Sequence, residues 1–164
     1  MKPQLVAKDR GELVLTKPGI GELIRSLLAD GIPCRLRTKG NSMSPFIQDD
    51  DVVTILPPSN ASPTLGKIAV CHSPEVGSVV IHRVIATGNG QVTTKGDNCS
   101  FPDMPTAVAD VLGCVSIIER HGSHVRLGLG PERLVIAAFS RAVTVSRLCL
   151  IHRLQRRLLS RSTP

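Results

Sequence analysis

The spacing of apolar residues changes period twice along the chain. In "GIGELIRSLLAD" (19–30), Ile20, Leu23, Ile24, Leu27 and Leu28 recur at helical spacing, and Gly31 supplies a stop, which predicts a short helix. From Pro33 to about Leu129 the pattern is that of strands. "CRLRTK" alternates, and "DVVTIL", "KIAVCH", "SVVIHRVIA", "QVTTK", "VLGCVSIIE" and "SHVRLG" are short β-branched runs separated by Gly, Pro, Asn and Ser. The "TGNG" between two of them reads as a hairpin turn. Pro131 fits a first helical position, and a helical period returns from there to about Ser160. On that helix Arg133, Arg141 and Arg147 share one side, with Val135, Ala138, Phe139, Ala142 and Cys149 on the other. The expected organisation is a lead with a short helix over 1–32, a β domain over 33–130 and a basic amphipathic helix over 131–164. That is a mainly β fold with a helix at each end.

Composition narrows the partners. The 164 residues include no Trp, no Tyr and three Phe, so aliphatic side chains fill the core. Stacking on nucleic-acid bases has little to work with, which argues against nucleic acid as the partner. The net charge of +7 is carried at one end: residues 131–164 hold seven Arg and one Glu, leaving the rest nearly neutral. A basic segment of this kind suits an anionic membrane surface, a protein partner or packing on its own β domain, and the pattern leaves those three open. Five scattered cysteines (Cys34, Cys71, Cys99, Cys114, Cys149) without a C-x-x-C pair fit thiols in a reducing compartment. The opening "MKPQLVAKDRGELVL" lacks a signal-peptide core, and no run reaches the ~18 apolar residues of a membrane span. The expected location is cytoplasmic, with peripheral membrane attachment through the tail as an option.

Candidate chemistry begins at "GNSMSP" (40–45). Ser42 and Ser44 each fit an ordinary turn or cap, and a nucleophilic serine needs a base to take its proton. Among five histidines, His82 stands apart because "SVVIHRVIA" sets it inside the most apolar strand. His72 ends a strand, His121 and His124 lie in a turn, and His152 belongs to the basic tail. Alone, His82 fits a hydrogen-bonded structural histidine better than a catalytic one. In "TTKGDNCSFPD", Asp97 and Asp103 fit Asx turns, yet either could receive a ring N–H and fix the tautomer of a histidine base.

Taken in order, these boxes resemble the signal peptidase I and LexA-type serine peptidase clan. "GNSMSP" is similar to its G-x-S-M-x-P box, and "DDDVVTI", "LGKIAV", "IHRVIA", "TKGDNCSFPD" and "VLGCV" follow as the clan's later strands do, over about residues 36–118. Asp50 stands where glycine is usual, and Lys67 where aspartate is. Histidine in place of lysine before Arg-Val resembles the microsomal, archaeal and spore-former signal peptidases. The resemblance implies a serine endopeptidase of signal-peptidase type acting on a precursor or leader peptide, with small residues before the scissile bond. It implies Ser42 as nucleophile and His82 as general base, whose residue type titrates near neutrality at ~6.5. Asp103 is implied as the orienting acid, and Asp97 as a supporting carboxylate or its substitute. Met43 and Phe46 face the substrate cleft or the core, and the Ser42 N–H is the first oxyanion donor. The Asp49–Asp51 run is expected to open the next strand and face water. No cofactor and no metal are implied. An inactive peptide-binding module, or a lipid or nucleic-acid binder acting through the tail, are the alternatives.

Overall fold

The computed structural model describes residues 6–8, 12–14, 17–73 and 78–143. Strands β1 (Val6–Lys8) and β2 (Glu12–Val14) pair antiparallel in a small sheet that the hydrophobic pattern of the lead does not announce. Helix α1 (Lys17–Ala29) starts slightly before its expected position. It ends where Gly31 turns to φ 76°, letting Gly31 N reach Leu28 O (3.2 Å) and Ile32 N reach Leu27 O (2.9 Å).

The remaining strands form one antiparallel sheet. They are β3 (Cys34–Arg37), β4 (Val52–Leu56), β5 (Ile68–Ser73), β6 (Ser78–Gly88), β7 (Gln91–Lys95), β8 (Thr106–Ala107), β9 (Val111–Arg120) and β10 (Ser123–His124). Their spatial order is β3-β4-β9-β5-β6-β7-β8, with β10 paired to β9. Asn89 (φ 50°) and Gly90 (φ 71°) make the two-residue turn expected from "TGNG". Register shifts at Thr54/Ile55, Val70/Cys71 and Val84/Ala86 bend the sheet into a half-barrel. The fold is therefore mainly β with a helix before and after the sheet.

Alternation along the strands supplies two apolar clusters. Ile24 and Leu28 of α1 pack with Val53, Ile55, Ile68, Val70, Val115 and Ile118, joined by Met43 and Ile47. Ala69, Cys71, Val84, Val92 and Val111 form the second. On β6, Val79 and Ile81 meet the first cluster, and Val80 and Val84 belong with the second. Cys34, Cys71 and Cys114 are buried free thiols, and burial pushes Cys71 and Cys114 up to about 11.

A second helix, α2, covers described residues 133–143. It packs on the β domain through Ala137 and Ser140, whose hydroxyl accepts a 3.0 Å bond from the buried Lys95 ammonium. Gly66 (φ +83°) leaves the room Arg133 needs, because a Cβ there would stand 2.9 Å from the Arg133 carbonyl oxygen. The expected arginine side is thus not uniformly outward: Arg133 is half-buried and donates to Leu129 O at 3.0 Å. The expected continuation to Ser160, with Arg147 and Cys149, lies outside the described residues.

Candidate active site

Ser42 is carried by the connection between β3 and β4. Thr38 N to Asp51 O (2.8 Å) and Asp50 N to Thr38 O (3.0 Å) close that loop at its base. The aspartate run is its brace. Asp49 accepts from Gly40 N at 2.7 Å, Asp50 pairs with Arg37 and Lys39, and both are exposed. Asp51 departs from the expectation of a water-facing run: it is only 2% exposed, receives two bonds from Arg120 (2.9 and 2.8 Å) and accepts from Gln48 N. Burial works against ionisation of Asp51, but these donors and the Arg120 charge outweigh it and hold the carboxyl below its ordinary value.

Within the loop, Phe46 N and Ile47 N both reach Met43 O at 3.1 Å, forming a single turn whose head is the exposed Ser42. Ser44 N bonds Asn41 O inside the turn (3.2 Å). Met43 is buried in the first apolar cluster, so of the two roles open to it the structure gives it the core. Phe46 is likewise a packing residue. Its ring lies 5.2 Å from the Arg83 guanidinium carbon and fills the space a Cβ on Gly128 would need.

His82 and Arg83 are successive residues of β6, so their side chains leave the strand on opposite faces. The loop after β7 answers both. His82 Nδ1 is 2.7 Å from Asp103 Oδ2, and the same oxygen accepts a 2.6 Å bond from Thr94 Oγ1. Asp103 N in turn donates to Thr94 O at 2.8 Å, fixing the carboxylate over β7. Burial raises the Asp103 carboxyl, but the bonds from His82 and Thr94 and the His82 charge prevail, leaving it below the ordinary carboxylate value.

Among the described residues Asp97 bonds to Arg83 and not to His82. Both of its oxygens are taken by Arg83, through Nε and NH2 at 2.8 Å each, and its side chain is 3% exposed. Arg83 itself is fully buried and spends NH1 on Gly66 O (2.9 Å) and Gly128 O (2.8 Å). The Asp97 carboxylate is thus held in a buried ion pair that anchors the loop.

The loop between Asp97 and Asp103 also joins the serine turn to the histidine. Asn98 N donates to Ser42 O at 2.8 Å, and Asn98 Nδ2 to Asn41 O at 3.2 Å. Gly96 sits at the junction. A Cβ added there would lie 2.5 Å from Cys99 Sγ, 2.7 Å from Ser42 O and 3.1 Å from His82 Nε2. Glycine is the residue that lets the serine turn and the imidazole approach each other.

Two polar groups here remain unspent. Among the described residues neither the Ser42 hydroxyl nor His82 Nε2 has a hydrogen-bond partner, and His82 Nε2 is not sealed from solvent. Among the described residues the Ser42 N–H also has no backbone acceptor. A hydroxyl, an unengaged imidazole nitrogen and a carboxylate behind the ring are the parts of acyl transfer. Sequence reasoning missed Arg83, Thr94, Gly96 and Asn98. The available signal was a charged residue inside an apolar strand, since Arg83 there demands a buried partner.

A model of the Peptidase S24-like family matches residues 24–116, more than half of the chain, and spans Ser42, His82, Asp97 and Asp103. No curated protein and no solved structure matches the chain.

Proposed function

We propose, since the chain belongs to the Peptidase S24-like family, that it is a serine endopeptidase of the histidine-base, signal-peptidase type. Ser42 Oγ adds to the scissile carbonyl carbon as His82 Nε2 takes its proton. Asp103 accepts a hydrogen bond from Nδ1–H, which keeps a lone pair on Nε2 and stabilises the imidazolium. The Ser42 N–H offers one oxyanion donor, and Gly40 adds no side-chain donor. Collapse expels the amine with the proton from His82, and water then cleaves the acyl-enzyme by the same path. The substrate class is a precursor or leader peptide with small residues before the cut, a preference that rests on the resemblance.

The observation that carries this reading is the 2.7 Å contact of His82 Nδ1 with Asp103, with Nε2 left open beside the Ser42 turn. A peptide library offered to the full chain tests it. Ser42→Ala should abolish cleavage while Ser44→Ala keeps it; cleavage unchanged by Ser42→Ala overturns the reading. Peptide binding without any cleavage by the wild type would leave the inactive binding module.

A further inference from the structure

Helix α2 turns the wrong side inward for a helix bounded by water. Its buried positions are Ala137 and Ser140, while Leu134 is 49%, Val135 72% and Phe139 70% exposed. Ala138 and Ala142 are exposed as well. At 3.6 residues per turn these five positions fill a continuous arc of roughly 140°, with the exposed Arg141 at its edge. A surface helix ordinarily buries such a stripe. Here the small and polar side is the one that meets the sheet.

The charge that follows this helix in the sequence favours one occupant. Residues 144–164 contribute Arg147, Arg153, Arg156, Arg157 and Arg161, and no Asp or Glu. A second copy of the chain would bring two such arginine-rich segments together. A nucleic acid would satisfy the arginines through its phosphates but has no need of an apolar arc. An anionic bilayer surface takes both, with headgroups against the arginines and acyl chains against Phe139, Val135 and Leu134. We propose that the exposed face of α2, edged by Arg141, docks the protein on an anionic lipid surface. The proposal is independent of the peptidase chemistry.

Cosedimentation of the full chain with vesicles tests it, comparing phosphatidylcholine containing phosphatidylglycerol with phosphatidylcholine alone. Retention should require the anionic lipid and weaken as salt rises. The double variant Val135→Ser, Phe139→Ser should lower partitioning by about tenfold or more, because apolar burial supplies part of the affinity. Its Tm should match the wild type, since both side chains are largely exposed. Absence of retention on anionic vesicles, or retention indifferent to the double variant, overturns the proposal. So does binding to duplex DNA without vesicle binding, or a dimer in solution that the double variant dissolves while vesicles go unbound.

Discussion

His82 and Arg83 are adjacent on one strand, yet they end in opposite chemical conditions. On the Arg83 side every charged oxygen of Asp97 is engaged, the guanidinium is spread over Asp97, Gly66 O and Gly128 O, and Phe46 covers it. On the His82 side the cluster is left incomplete, with Nε2 and the Ser42 hydroxyl unspent and Asp103 one-third exposed. A saturated buried pair has no capacity left for a substrate, and removing one partner strands a charge. An unsaturated cluster can still transfer a proton. The same loop supplies both carboxylates, so the saturated pair on one side holds the loop that carries Asp103 on the other.

The two sides of β6 can be perturbed separately. The largest effect should come from Asp103→Asn, which would drop kcat by about 10^4-fold by favouring the wrong imidazole tautomer; peptide-cleavage kinetics would check it, and the Tm should change little. Next, Arg83→Met should cost about 3–5 kcal/mol in denaturant unfolding by leaving Asp97 charged and unpaired. An Arg83→Met protein as stable as the wild type would dissolve the contrast between the two sides. Gly96→Ala should destabilise by about 1–3 kcal/mol through overpacking, and lose activity beyond what the unfolded fraction explains. The smallest effect concerns acid. A carboxyl held below its ordinary value contributes stability that is fully present above that value and is lost as pH falls through the lowered one. Below about pH 4 the wild type should therefore lose stability that Asp103→Asn does not, measurable as a flatter acid limb in the variant's Tm profile.

Much of this was legible in the chain. The strand runs and "TGNG" announce most of the sheet, because alternation and turn chemistry are local. The order of the boxes groups Ser42, His82 and Asp103, and of these His82 and Asp103 lie 2.7 Å apart. The division of labour between Asp97 and Asp103 was not legible, because it follows from which face of β6 each neighbour occupies. Asp51 was misassigned to water for a related reason: its partner Arg120 lies at the far end of β9, a long-range pairing that no local pattern encodes. Helix α2 shows the same gap. Periodicity identifies two faces, but the room left by Gly66 for Arg133 and the Lys95–Ser140 bond decide which one meets the sheet.

In the proposed reaction Ser42 forms the covalent bond and His82 makes it possible. The direct measurement is acid-quenched turnover of an activated peptide ester, with the intact chain and its fragments weighed by mass spectrometry. An added acyl mass should map to Ser42, survive Ser44→Ala and disappear in His82→Ala. An adduct on Ser44, or ester turnover undiminished in Ser42→Ala, would contradict the proposed reaction.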